Sequence, residues 1–255
     1  MTEEMKKARK LVAEARKILV FTGPGLSAAS GLPCSGDIRP SKSYVQGNCS
    51  SALYVPVSYQ QFVDSTRHKL EHWKFLYSSY PLYKAARPNA AHEVLVSFEK
   101  KGRLLAVVTQ NEDNLHRLAG TGTDCLIELH GTWLYAECLD CFDWIPMDEV
   151  FENFAKDGFP PLCHCGGWLK PAPLMKGEEL EREFLIKAFK AARDCDLVIS
   201  AGSSLRAEPS SSVPLAAKAA GKPYIIINAG PTAHDRAADI ILNGDAGQLL
   251  PELLS

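Results

Sequence analysis

Four thiols are spaced to hold one metal ion: Cys138-x-x-Cys141 and Cys163-x-Cys165, with 21 residues between the pairs. Two chelating knuckles of this kind can close a tetrahedral four-thiolate zinc site of structural type. The second pair is one residue short, and Gly166-Gly167 would give its backbone the freedom a tight knuckle needs. Unmetallated thiols or a redox pair are the alternative. A second signal is Gly23-Pro24-Gly25-Leu26-Ser27-Ala28, a G-x-G-x-x-[G/A] turn directly after an apolar run. Such a turn brings backbone close to a pyrophosphate and, if Ser27-Ala28-Ala29-Ser30 opens a helix, offers it free N–H groups. Pro24 removes one of those donors, and a glycine-rich turn without ligand is the alternative reading.

Polar side chains crowd a third segment, Thr109-Gln110-Asn111-Glu112-Asp113-Asn114-Leu115-His116, just past another apolar run. The carboxyl end of a buried strand is where open α/β sheets bind ligands, although Asn111 and Asp113 also suit helix caps. His130 follows Leu126-Ile127-Glu128-Leu129 and precedes Gly131; a lone histidine there is more often structural, but its place at the same sheet edge also suits a general base. His164, between two thiols, reads as a solvent-facing bystander; Cys34, Cys49, Cys125 and Cys195 read as small apolar packers or idle loop residues.

The elements that must position these groups are legible as alternating patterns. Apolar runs at 17–22, 104–109, 126–129, 197–201, 224–228 and 239–242 have the unbroken character of strands buried on both faces. Helical periodicity covers roughly 2–15, 58–77, 89–100, 111–119, 179–193, 209–220 and 246–254. Strand and helix in alternation predict a Rossmann-like, doubly wound parallel α/β sheet. Residues 34–57, rich in Ser, Gly and Pro, read as a long loop, and 132–178, irregular and cysteine-bearing, as a small inserted zinc-ribbon module. The boundaries expected are 1–33, 88–131 and 179–255 for the sheet domain, 34–87 for a loop and helical segment, and 132–178 for the metal module.

The bulk numbers narrow the partners. With 255 residues, 46% hydrophobic and 23% charged, the chain can bury a large core, which rules out disorder. A net charge of −2 provides no field for a phosphate backbone, so nucleic acid is not an expected partner. No run reaches the ~18 apolar residues of a membrane helix, and the first twenty residues lack a secretory apolar stretch. A reducing, cytoplasmic setting is the expectation, with eight cysteines serving metal or packing.

In chain order, GPGLSAASGLP, TQNEDNLHRLAG, ELHG, the two cysteine knuckles, GEEL, GSSL and the IIIN strand together resemble the sirtuins, NAD-dependent protein-lysine deacylases, across nearly the whole chain. The resemblance implies NAD consumed as a co-substrate, structural zinc, and an acyl-lysine peptide entering between a large and a small domain. It implies that His130 is the base that activates a ribose hydroxyl, that Gln110 and Asn111 line the nicotinamide ribose, and that Asp113 accepts from the carboxamide. Gly23, Gly25 and Ser27 would approach the phosphates, and Gly202, Ser203, Ser204 and Asn228 would hold the adenosine end.

Departures from the family pattern cluster around the expected nicotinamide and acyl-lysine pockets. Cys34-Ser35-Gly36 replaces a segment carrying Phe and Arg, Glu112 replaces Ile, Pro24 replaces Ala, Lys176 replaces Phe, and Ala207-Glu208 replaces an apolar pair. A carboxylate at 112 would need a partner if buried, for which Lys176 is the candidate. The Tyr-x-x-Arg pair of desuccinylase-type sirtuins is replaced by Leu76 and Ser79, so an uncharged acyl group is the better expectation. The competing readings are a weak or inactive NAD- or ADP-ribose-binding protein of this fold, and an NAD glycohydrolase or ADP-ribosyltransferase, since Ser35 shelters a reactive C1′ from water less than Phe would.

Overall fold

A computed structural model describes residues 2–32 and 57–255. The loop expected over 34–57, with Cys34, Ser35, Gly36 and Cys49, lies outside the described residues up to position 56. In chain order the strands are β1 (Ile18–Thr22), β2 (Leu104–Thr109), β3 (Leu126–Glu128), β4 (Tyr135–Cys138), β5 (Trp144–Pro146), β6 (Leu169–Pro171), β7 (Leu197–Ala201), β8 (Tyr224–Asn228) and β9 (Ile240–Asn243). The helices are α1 (Glu3–Glu14), α2 (Tyr59–Asp64), α3 (Thr66–Ala85), α4 (Ala90–Lys100), α5 (Leu115–Ala119), α6 (Met147–Asp157), α7 (Arg182–Asp194), α8 (Ser212–Ala219) and α9 (Ala246–Leu254). They divide between two compact units: residues up to 32 with Ala86–His130 and Leu180–Ser255, and residues 57–85 with Gly131–Glu179.

In the first unit six strands form one sheet in the order β3-β2-β1-β7-β8-β9. Every pairing is parallel, with Val20 opposite Val107 on one side and Ile199 on the other. β1 is central and all five of its residues are buried, which is why it reads as an uninterrupted apolar run. Its alternate side chains serve two layers. Ile18 and Val20 pack with Met5 of α1, Leu95 of α4 and Leu250 of α9. Leu19 and Phe21 pack with Ala188 and Ala192 of α7 and Val213 and Ala217 of α8. Helices on both faces make the sheet doubly wound, as the alternating pattern predicts.

The strand order reverses between β1 and β7: the chain winds outward from β1 to β3 and later resumes at β7 on the other side. Loops leaving the carboxyl ends of two strands at such a point diverge and leave a crevice, the usual ligand position in open α/β sheets.

Two expected helices differ in extent. The pattern over 111–119 yields a helix only from Leu115, because Asn114 is left-handed (φ 63°) and Asp113 Oδ1 accepts the Leu115 N–H at 2.9 Å. The stretch 58–77 becomes α2 and α3, broken at the extended Ser65, with α3 running on to Ala85.

In the second unit β4, β5 and β6 form an antiparallel sheet in the order β5-β4-β6. A core of Phe62, Trp73, Trp133, Met147, Phe151 and Leu169 joins this sheet to α2, α3 and α6. Lys170 of β6 is buried there, with Nζ 3.0 Å from Glu178 and donating to the Pro171 carbonyl at 2.8 Å. No helix among the described residues is long and apolar enough to cross a membrane.

Candidate active site and metal centre

The glycine turn after β1 is built differently from the sequence expectation. Residues Pro24–Leu26 and Ala28–Ser30 form two short 3-10 turns, ended by Gly31 at φ 84°, and no α-helix opens at Ser27. Pro24 starts the first turn, where its missing N–H costs nothing, and a left-handed residue so soon afterwards stops propagation. The Gly23 N–H donates to Ala201 O at 3.0 Å and the Gly25 N–H to Gly202 O at 2.7 Å, while those of Leu26 and Ser27 close the first turn. The N–H groups of Gly23, Gly25 and Ser27, residues expected to approach the phosphates, are therefore engaged within the protein. A Cβ on Gly23 would lie 2.6 Å from that of Ser203, and one on Gly25 would lie 2.9 Å from Gly202 Cα. Gly202, at φ 69°, has no room for a side chain beside Leu26 and Gly25. All three glycines thus let the loops after β1 and β7 touch.

The polar segment after β2 meets this turn through side chains. Ser27 donates to Asp113 Oδ2 at 2.6 Å and accepts from Asn111 Nδ2 at 3.1 Å. Ser27, Asn111 and Asp113 are all buried. Burial pushes the Asp113 carboxyl up, against the Ser27 hydroxyl and the Leu115 N–H, which favour its charged form. Asp113 is thus both a cap for α5 and a member of the cluster, so the two sequence readings of it coexist. Asn111 Oδ1 is buried with no hydrogen-bond partner among the described residues.

A second network starts one residue earlier. Ser203 donates to Gln110 Oε1 at 2.9 Å, Gln110 Nε2 donates to Ser210 Oγ at 2.7 Å, and His130 Nε2 lies 3.3 Å from the same oxygen. His130 is half-buried. Burial pushes its pKa down, opposed by a hydrogen bond to the Gln110 backbone, so the ring is neutral at physiological pH. Ser204 is exposed, and the Asn228 amide donates to Gly230 O at 2.9 Å; neither joins these two networks.

Ser210 was not singled out by sequence reasoning, nor were Thr22, Asn89, His92 or His116. Thr22 at the end of β1 bonds His116 Nε2 at 3.0 Å, and the His116 ring packs edge-on against His92 at 4.8 Å. Asn89 donates to Leu26 O and Ser30 Oγ while capping α4, which fastens the glycine turn to that helix. Asn at a helix start was a visible signal for Asn89; a serine in the run Ser210-Ser211-Ser212 offered none.

In the second unit the Sγ atoms of Cys138, Cys141, Cys163 and Cys165 all lie within 4.8 Å of one another. The Cys138–Cys165 and Cys141–Cys163 separations are 3.5 and 3.7 Å. Thiolates about 2.3 Å from a tetrahedral zinc would stand about 3.8 Å apart, so this set fits that ion. N–H groups of Asp140 and Cys141 point at Cys138 Sγ and that of Gly167 at Cys165 Sγ, each at 3.4 Å, as suits thiolate charge. Burial alone would raise the Cys138 thiol, but those N–H groups and neighbouring thiols bring it down to about 7. The short second knuckle turns through Gly166 at φ 90°. His164 is exposed; its Nδ1 lies 3.5 Å from Cys163 Sγ and 3.8 Å from Asp143, outside the four-thiol set. Cys125 and Cys195 are buried in the first unit, their thiols pushed up to about 11 by burial, and serve as packing.

A sheet of this strand order with buried polar groups at its switch point, together with four thiols placed to hold a metal ion, is an architecture shared by α/β nucleotide-binding proteins. The chain belongs to the Sir2 family, whose sequence model matches residues 23–209. It is 35% identical over 241 residues to NAD-dependent protein deacetylase 1 of Bradyrhizobium diazoefficiens, covering 94% of this chain and 91% of that protein. It is 34% identical over 259 residues to NAD-dependent protein deacylase 2 of Archaeoglobus fulgidus, covering 100% and 96%. Among solved structures, a Sir2 protein bound to a propionylated peptide superposes with a TM-score of 0.84 at 29% identity, covering 98% of this chain and 97% of that one.

Proposed function

We propose that this protein removes acyl groups from protein lysines, with NAD as co-substrate, releasing nicotinamide and an acyl-ADP-ribose. One observation carries the reading: at the carboxyl ends of β1 and β2 a buried, internally bonded Ser27–Asn111–Asp113 cluster leaves a single acceptor, Asn111 Oδ1, without a partner among the described residues. A buried acceptor without a partner costs about 1–3 kcal/mol, which a bound hydroxyl or amide donor would recover. This unpaired acceptor therefore fits a ribose hydroxyl or the carboxamide N–H of a nicotinamide dinucleotide.

When bound, NAD supplies a ribose carbon from which nicotinamide departs. Asn111 and Asp113 bind and orient that end, and Ser27 holds the two side chains at a fixed spacing. His130, neutral because it is buried, takes up a proton at Nε2. Gln110 is fixed from both sides by Ser203 and Ser210 and keeps the wall beside His130 rigid. The adenosine end falls to the loop after β7 and to Asn228, where Ser204 presents an exposed side chain. The peptide-bound relative supports a peptide partner, and an acetyl or other uncharged acyl group suits a chain with buried Leu76 and with Ser79, whose hydroxyl donates to Phe75 O. A reducing cytoplasmic location belongs to the same proposal, since four thiolates must stay unoxidised.

The test is to incubate the protein with NAD and an acetyl-lysine peptide and follow nicotinamide and deacetylated peptide separately. Stoichiometric release of both is expected, and loss of both in H130A. Nicotinamide without deacetylation would replace the proposal with NAD hydrolysis, and neither product would replace it with a binding role.

A further inference from the structure

The hydrogen bonds around His130 can be assigned a direction. Ser203 Oγ accepts the Leu205 N–H at 3.1 Å and donates its own proton to Gln110 Oε1 at 2.9 Å. That fixes the Gln110 amide with its nitrogen toward Ser210, which receives an N–H at 2.7 Å. Ser210 Oγ then has one proton and one lone pair left. Two groups compete for them: the Ala207 carbonyl at 2.7 Å, which can only accept, and His130 Nε2 at 3.3 Å, which can do either.

A hydrogen bond to the Gln110 backbone raises the His130 pKa against burial, which is the effect of a carbonyl that accepts from the ring. Nε2 faces Ser210, so the donor is Nδ1. With Nδ1–H anchored, Nε2 is the atom that gains and loses a proton. Ser210 itself has no exposed surface and cannot be a nucleophile toward a substrate.

We propose that Ser210 is a positioning residue for His130, its hydroxyl turning between the Ala207 carbonyl and Nε2 so that the ring stays bonded in both charge states. This rests on the reading of His130 as the base. With the imidazole charged, Ser210 accepts from Nε2–H and donates to Ala207 O. With it neutral, Ser210 donates to the Nε2 lone pair until a substrate hydroxyl takes that place. The proton on Ser210 never leaves it; only the O–H direction changes. Both arrangements keep the imidazole plane fixed, at the cost of one carbonyl bond in the neutral form.

The charged groups around this set are accounted for elsewhere. Glu128 is paired with Arg117 at 2.6 Å, Glu208 accepts from Ser211 and Ser212, and Asp113 is held by Ser27. Glu112 also has a partner of its own. The influences on His130 are burial and the Gln110 backbone.

The experiment is nitrogen NMR on protein carrying ¹⁵N-histidine, free of NAD, with the His130 resonances assigned by their loss in H130A. A bond to a charged donor is about twice as strong as a neutral one, so removing Ser210 harms the imidazolium more. In S210A the His130 midpoint should fall by roughly half a pH unit or more, with the acid limb of the deacylation profile moving the same way. S210T, which keeps a hydroxyl, should restore both. If S210A does not fold, S210C replaces it, with a fall in midpoint again expected. An unmoved midpoint in the folded variant overturns the proposal. Deacylation by H130A would instead overturn the reading of the base, while the midpoint still judges the Ser210 bond by itself.

Discussion

Replacing Gly25 by Ala tests whether the glycine turn serves a ligand or the fold. Gly25 does not sit in the left-handed region, so alanine adds one methyl group without backbone strain. That methyl would stand 2.9 Å from both Cα and O of Gly202 and 3.1 Å from its carbonyl carbon. Ordinary contacts begin at 3.4 Å, so the two loops must separate by about half an ångström. Overpacking of this kind costs about 1–3 kcal/mol. The Gly25 N–H to Gly202 O bond, 2.7 Å long, would be stretched with it, adding about 1 kcal/mol. A total near 2–4 kcal/mol corresponds to a fall in Tm of roughly 5–15 °C for a chain of this size. Scanning calorimetry without NAD measures it, with G230A as control, since a Cβ there meets nothing within 4 Å. Loss of NAD affinity in a G25A protein that melts within about 2 °C of wild type would refute the reasoning and return the glycines to the phosphates.

Two further perturbations have outcomes set by the structure. Removing the metal with a strong chelator should leave four thiolates 3.5–4.8 Å apart with nothing between them; the second unit should lose cooperative melting and the first should not, and the untreated protein should contain one zinc per chain. His92 is buried and its pKa is pushed down by burial to about 4 from 6.5 in the unfolded chain. The unfolded state therefore takes up the proton first, and stability falls as pH drops from about 6.5 to about 4, by roughly 3 kcal/mol for this residue. Urea midpoints at pH 7 and 4.5 should differ markedly less in H92Q than in wild type, and an equal difference would remove His92 as a cause.

The sheet was legible in sequence because its strands are buried on both faces. Ile18–Phe21 and Tyr224–Ile227 have no polar residue to interrupt them, and the helices between carry one apolar face. The cysteine knuckles were legible because metal geometry dictates spacing locally. What escaped was set by contacts between distant segments. Ser210 meets Gln110 across 100 positions, and Gly25 meets Gly202 across a still longer span, so nothing near either residue announces the contact. The glycine fingerprint was visible as a pattern, but its reason was not, because a glycine kept for a neighbouring loop and one kept for a phosphate read alike.

The loop contact also bears on how a ligand would be held. With the N–H groups of Gly23, Gly25, Leu26 and Ser27 bonded within the protein, a ligand at this end of the sheet would meet side chains as well as backbone. Those side chains are already ordered by one another: Ser27 fixes Asn111 and Asp113, while Ser203 and Ser210 fix Gln110. Freezing a long polar side chain costs about 0.5–1.5 kcal/mol at the moment of binding. Here that cost is met when the chain folds, so a dinucleotide would encounter a rigid set of partners in which Asn111 Oδ1 is the acceptor still waiting for a donor.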